Sequence, residues 1–439
     1  MKKINAIVVS IILLLLGGIL FFFYDGMILP GYFGILIILE LATFFLIKRL
    51  RKESALFITP DDEKPKLSQE GLEKFFAQSY DPELGWTRRP NTSKQERGKL
   101  NTITFHIDEQ GSRANPHHEK WPVKITGYGD SFAFSRQVED NETWEWYLSE
   151  LTKTKVLNFG VGNYGLDQAL LRLKREFPQK KSSIVIMAIV PSTIVRILGV
   201  WKHYHDYGNT FGFKPFFTVE NGELVYHRNF IDSKEKFENY TTYLPKIQKY
   251  DYFYREKFKQ EMLDFPYLIS VFSNPLRNIP LISLFSARMI KRKKEREYEQ
   301  GVSKPSKFLN FLMAMQLRLF TPMKVKLFKK EYPALLLTKL VEEFSRYGKE
   351  QGFEPVLLWM PQKDDVLFMK RRGIYYSHFV EKISKKMKVI DLTPMLMSSD
   401  NLSSLYSDDN TDGGHFSPEG NKKVAEMVYE KIIERSAQR

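Results

Sequence analysis

Val123-Lys124-Ile125-Thr126-Gly127-Tyr128-Gly129-Asp130-Ser131 is the stretch on which the fold of this chain turns. Its first four residues form a short β pattern, its glycines permit a tight turn, and the turn delivers Asp130 and Ser131 at a strand end. Toward the other end of the chain stands Asp412-Gly413-Gly414-His415. Ser417 follows as a cap, Pro418 suits a first helical position, and Val424, Met427, Val428 and Ile432 continue at helical spacing. His415 is therefore expected on a loop just ahead of the last helix. A serine hydroxyl is a poor nucleophile at neutral pH, and it needs an imidazole to take its proton and a carboxylate to fix that imidazole's tautomer. Ser131, His415 and Asp412 are the residue types for those roles, and one turn of backbone can carry Asp412 back to the ring.

Strand and helix patterns alternate between these two motifs. Trp144 to Leu151 and Asp167 to Phe177 read as helices, while Val156-Leu157, Ile184 to Ala188, Val356 to Met360 and Lys388 to Leu392 read as buried strands. The alternation predicts an α/β fold, a parallel sheet with helices on both faces. In such sheets ligands bind outside the carboxyl ends of the strands, where Ser131, Asn163 and Thr193 all fall.

At these residues the chain resembles the SGNH hydrolases, also called GDSL esterases or lipases. Gly129-Asp130-Ser131 is similar to the family's first block, Asp412-x-x-His415 to its last, and Val156-Leu157-Asn158-Phe159-Gly160-Val161-Gly162-Asn163-Tyr164-Gly165 to its second. The resemblance implies an SGNH-type three-layer sandwich and a catalytic triad of Ser131, His415 and Asp412. It also implies an oxyanion hole built from the backbone amides of Ser131 and Asn163, with Gly162 the neighbouring candidate. Asparagine stands at 163 where many members have glycine. The third block, Gly-x-Asn-Asp in typical members, has no counterpart, and Thr193 stands about where its asparagine would. Asp81 to Asn91 resembles a segment ahead of the catalytic core in a bacterial membrane-anchored branch. Gly129-x-Ser131-x-Ala133 also nearly spells the nucleophile elbow of α/β-hydrolases, but the three-residue spacing of Asp412 and His415 favours the SGNH family.

Three regions are expected. Residues 1–52 read as a transmembrane helical hairpin: Ile4 to Phe23 and Met27 to Ile47 are almost unbroken apolar runs, parted by Tyr24-Asp25-Gly26. Phe21-Phe22-Phe23-Tyr24 offers no small-residue cleavage site, so both runs are read as retained. Lys2 and Lys3 precede the hairpin and Lys48, Arg49, Arg51 and Lys52 follow it, which places the catalytic domain on the cytoplasmic side of a bacterial inner membrane. Relatives with a similar lead-in are often exported, so a periplasmic or extracellular domain is the alternative. Glu40, inside the second run, reads as a protonated or helix-paired glutamate with a packing role, ahead of a functional one. Residues 53–120 read as a linker and small β lead-in, with Thr102 to Ile107 a half-exposed strand closed by a turn at Asp108 to Gly111. Residues 121–439 read as the hydrolase domain, interrupted at about 211–333 by a mostly helical insertion. That insertion opens with a hairpin, Phe216 to Val219 and Glu223 to Tyr226, turning at Asn221-Gly222. Within it Leu268 to Ile290 reads as a membrane-facing amphipathic segment. The basic run 291–296 is a solvated face that could also contact anionic lipid.

The net charge of +14 over 439 residues fits such a surface. It is spread along the chain without a helix-turn-helix, RNP-type or zinc-finger pattern, so nucleic acid is not expected. With no cysteine, disulfides, thiolate-ligated metals and thiol nucleophiles are excluded. His203-x-His205-Asp206 reads as surface residues, and neither a metal nor another cofactor is expected. The expected function is a membrane-anchored serine esterase acting on an acylated saccharide or lipid. An O-acyltransferase working on a cell-envelope polysaccharide and a non-catalytic glycan- or lipid-binding scaffold of the same fold are the alternatives.

Overall fold

The computed structural model describes residues 28–98, 102–299, 322–407 and 414–433. The chain divides into two compact units, one made of 67–202, 211–252 and 322–439 and the other of 1–66, 203–210 and 253–321.

The larger unit is built on five parallel strands: β1 (Val123–Gly129), β2 (Lys155–Gly160), β3 (Ile184–Ile189), β4 (Glu354–Trp359) and β5 (Lys388–Asp391), in the spatial order β5-β4-β3-β1-β2. From their second or third residue on, β1, β2, β3 and β4 are buried on both faces, as a parallel sheet covered by helices requires, while the edge strand β5 buries only Ile390. Helix α1 (Trp144–Thr152) joins β1 outward to β2, and α2 (Leu166–Glu176) returns past β1 to β3. Right-handed crossovers in opposite directions put these two helices on opposite faces. Helix α4 (Pro418–Ile433) packs on α1, and α3 (Glu331–Gln351) packs on α2, which completes the expected three layers.

Gly129 ends β1 for a steric reason. At φ 152° a Cβ there would lie 1.8 Å from the Ala188 carbonyl oxygen of β3, so any side chain would force the two strands apart. The expected hairpin is present as Phe216–Glu220 and Glu223–His227, with Asn221 at φ 52° and Gly222 at φ 83°. Both turn residues are thus left-handed, as a type I′ turn demands. The lead-in contributes Tyr80–Asp81 against Gly85–Trp86, and Thr92–Arg97 against the expected strand Thr102–Ile107.

In the smaller unit a helix spans Ile28–Arg51, and Ile47, Leu50, Phe57, Leu263, Val271 and Phe285 form its core. The Glu40 carboxylate accepts from the backbone N–H groups of Tyr267 and Leu268 at 2.5 and 2.8 Å, the first residues of the helix Tyr267–Ser273. Glu40 therefore satisfies two otherwise orphaned helix donors. The expected amphipathic segment is broken in two, and a longer helix, Pro275–Glu299, follows at Pro275. The side chains of the basic run 291–296 lie outside the description.

The expected transmembrane hairpin finds no support among the described residues. Among the described residues no helix is long and apolar enough to cross a membrane. The second expected span is helical from Ile28, but Glu40 interrupts its apolar run and Lys48, Arg49 and Arg51 close it. The first, Ile4 to Phe23, lies outside the described residues.

Candidate active site

Past Gly129 the chain makes a run of tight turns. Phe134 N–H donates to the Asp130 carbonyl at 2.9 Å, Ser135 N–H to Phe132 at 3.1 Å, and Arg136 N–H to Ser131 at 3.1 Å. The Asp130 side chain is fully buried and fixes this elbow from below. One carboxylate oxygen accepts from Phe132 N–H at 2.8 Å; the other accepts from Val190 N–H at 3.2 Å and from Arg196 Nη1 at 2.8 Å. Asp130 is thereby a structural member of the Gly-Asp-Ser motif, and Ser131 is left 8 % exposed at the carboxyl end of β1.

His415 arrives from the far end of the chain. A bridge between Tyr406 and Phe416 and a 2.7 Å hydrogen bond from Ser407 N–H to the His415 carbonyl hold its backbone. Ser417 then caps α4, its hydroxyl accepting from Gly420 N–H at 3.1 Å. The imidazole packs against the Phe132 ring at 4.8 Å between centroids. Its Nε2 lies 2.8 Å from Ser131 Oγ, within the 2.6–3.2 Å or so that proton transfer between nucleophile and base requires. Burial first, then the Arg136 and Arg196 guanidiniums, push the His415 pKa down to about 3. The ring is therefore neutral at pH 7 and can accept the serine proton.

Asp412 lies outside the described residues. The group that meets Nδ1 of His415 is Gln137, whose Oε1 stands 3.0 Å away. Nothing in the sequence singles out Gln137.

Asn163 sits exposed at the tip of a turn in which Tyr164 N–H donates to the Val161 carbonyl at 3.2 Å, and its φ is 67°. The turn is braced by the lead-in: Trp86 Nε1 donates to the Gly162 carbonyl at 3.1 Å, and Tyr164 Oη donates to the Trp86 carbonyl at 2.5 Å. Arg196 Nη1 also donates to the Tyr164 carbonyl at 3.0 Å, so one guanidinium ties this turn to the nucleophile elbow. Among the described residues the backbone N–H groups of Ser131 and Asn163 make no hydrogen bond, which suits them to a developing oxyanion. Thr193 is placed differently. It is fully buried, and its hydroxyl accepts from Leu166 N–H at 2.9 Å, supplying the cap that Gly165 cannot give α2. It makes no hydrogen bond to Ser131 or His415 among the described residues.

Among the described residues no group of three or more His, Asp or Glu could hold a metal. His203 accepts from Gly208 N–H at Nδ1 and donates from Nε2 to the Asp62 carbonyl at 2.8 Å.

No family model matches the chain, and no curated protein matches it. Among solved structures, one assigned to the G-D-S-L lipolytic family, from Desulfitobacterium hafniense DCB-2, aligns over 70% of this chain and 99% of its own, at 12% identity and a TM-score of 0.31. A second aligns over 71% of this chain and 96% of its own, at 10% identity and a TM-score of 0.30.

Proposed function

We propose that the chain is a serine hydrolase of SGNH type that cleaves carboxylic esters, with Ser131 as nucleophile and His415 as general base. The observation that carries this function is the 2.8 Å approach of Ser131 Oγ to the neutral Nε2 of His415 at the carboxyl end of β1. Ser131 Oγ attacks the ester carbonyl while its proton passes to Nε2. The oxyanion is held by the amides of Ser131 and Asn163, with Gly162 beside them; one such donor is worth about 2.7–4 kcal/mol. The C–O bond then breaks, Nε2 returns the proton to the departing alcohol, and water repeats the sequence on the acyl-enzyme. Asp412 is the carboxylate its motif offers for orienting the ring, the alternative to Gln137 at Nδ1.

The proposed substrate is an acylated saccharide or lipid. Membrane association is supported by the helix Ile28–Arg51, which exposes Phe33, Ile35, Ile37, Ile38, Leu39, Leu41 and Phe45, more apolar surface than a water-facing helix carries. The flanking lysines and arginines favour the cytoplasmic face, and a reporter fused after Arg439 reads that side directly.

A serine-directed phosphonate tests the chemistry. Covalent labelling of Ser131, blocked in His415→Ala, is the expected result. A folded protein that never labels would instead be a non-catalytic binding scaffold. If a saccharide hydroxyl captures the acyl group faster than water, the enzyme is an O-acyltransferase.

A further inference from the structure

A serine hydrolase needs its imidazole proton on the nitrogen that faces away from the serine. In this chain that nitrogen, Nδ1, faces a neutral amide, Oε1 of Gln137 at 3.0 Å. An amide can turn either end toward a ring, and the end it turns decides the tautomer. Here the other end is engaged: Gln137 Nε2 donates to the Arg97 carbonyl at 3.4 Å. The acceptor end therefore faces His415, which places a proton on Nδ1 and leaves Nε2 bare toward Ser131 Oγ.

The backbone is arranged to hold that amide. Gln137 has φ 70° and Ser135 has φ 56°, left-handed conformations that side chains other than glycine adopt only when their surroundings impose them. The impositions are identifiable. Glu96 accepts from Gln137 N–H at 2.7 Å and from Arg136 Nε at 2.9 Å. The buried Arg113 donates to the carbonyls of Phe134, Ser135 and Val138 at 2.8, 2.6 and 2.5 Å, and to Asp140 at 2.9 Å. Backbone strain is thus maintained on the segment that carries Gln137.

We infer that Gln137 is a positioning residue that fixes His415 in the Nδ1–H tautomer, a neutral amide standing where a serine triad has its carboxylate. The catalytic consequence rests on the esterase function proposed above; the tautomer does not. Gln137 adds no charge of its own beside the ring. The groups that bear on it are the Arg136 and Arg196 guanidiniums, themselves paired with Glu96 and Asp130. Burial first, and then these cations, keep the base unprotonated well below the ordinary histidine range, and activity is expected to hold into acid.

The test uses the full chain labelled with 15N-histidine, of which it has eight, with His415→Ala assigning the signal. At pH 7 the expected spectrum shows Nδ1 protonated and Nε2 bare. Gln137→Ala is expected to mix the tautomers and to lower kcat about a hundredfold, the scale of a small misplacement of a reacting group, with KM within about twofold. Gln137→Glu is nearly isosteric; it keeps the tautomer but moves the imidazole titration and the acid limb of kcat upward by at least about one unit, because a carboxylate now faces Nδ1. An Nε2–H tautomer in the parent protein would overturn the inference. So would an unchanged tautomer and kcat in Gln137→Ala while Asp412→Asn carries the hundredfold loss. Absence of turnover and of phosphonate labelling in the parent protein would remove the esterase function instead, and the spectrum would still give the tautomer.

Discussion

Arg113→Met should destabilise the larger unit by about 4 kcal/mol, an estimate that follows from what the guanidinium holds. The side chain is buried, and methionine replaces most of its apolar stem, so loss of volume is a minor part. The Asp140 carboxylate loses an ionic partner, and breaking a buried pair costs about 3–5 kcal/mol. The lower end applies, because Asp140 still accepts from His106 N–H at 3.1 Å and sits 2.7 Å from His106 Nδ1. Three carbonyls each lose a charged donor, which adds roughly 1 kcal/mol for each that water cannot reach. Against this, a buried cation is removed from beside Arg88, whose pKa is pushed down to about 9 by burial and then by Arg113, so part of the loss is returned. The assay is selective. Trp86, Trp121, Trp144, Trp146, Trp201 and Trp359 are all six tryptophans and all lie in the larger unit, so their fluorescence through a urea titration follows that unit alone. A loss below about 1 kcal/mol at unchanged m-value would refute the role given to Arg113.

Ser131→Ala should abolish ester turnover while leaving the melting temperature near that of the parent, and residual turnover above background would count against the nucleophile. Glu145 is fully buried and its pKa is raised well above the usual carboxylate value, by burial before anything else. Between its ordinary pKa and the raised one the folded state binds the proton more tightly than the unfolded chain, so its contribution is present at low pH and is lost as pH rises. Glu145→Gln should therefore gain stability at pH 8 and little at pH 4.5; equal gains would contradict the assignment. Lys324→Met leaves Asp365 fully buried without the ammonium that stands 2.5 Å from it, with Tyr375 Oη at 2.5 Å and Gln362 N–H at 3.0 Å as its remaining donors among the described residues. A loss of about 3 kcal/mol, larger at pH 8 than at pH 5, is expected in the same urea titration, and a neutral outcome would show that the pair is replaceable.

The central strands were legible because a parallel sheet buried on both faces favours Val, Ile and Leu, as Ile184-Val185-Ile186 and Val356-Leu357-Leu358 show. Strand Thr92–Arg97 was not, since Thr-Ser-Lys-Gln-Glu-Arg has no apolar face and its pairing with Thr102–Ile107 is what makes it a strand. Ser131 and His415 could be read from local motifs that fix a turn and a helix start. Gln137 could not, because its role depends on a left-handed backbone and on Arg97 and Arg113, none of which leaves a mark on the neighbouring residues. Thr193 was placed by block position alone, and position along a chain does not say that a hydroxyl is taken up in capping α2. The apolar run before Lys48 suggested a bilayer span by composition, yet the partner of Glu40 is a helix start more than two hundred residues away.

The proposed nucleophile and base, Ser131 and His415, are separated by 284 residues, with every strand of the sheet laid down between or before them. At a synthesis rate of 5–20 residues per second, roughly 15–60 s pass between the emergence of Ser131 and that of His415. Throughout that interval the nascent chain carries a serine without a base, on a central strand whose neighbours are still being made. On the proposed function, ester cleavage begins only when His415 reaches Ser131 on the finished sheet, so a ribosome-bound or carboxyl-terminally clipped chain would be harmless to whatever acylated material surrounds it.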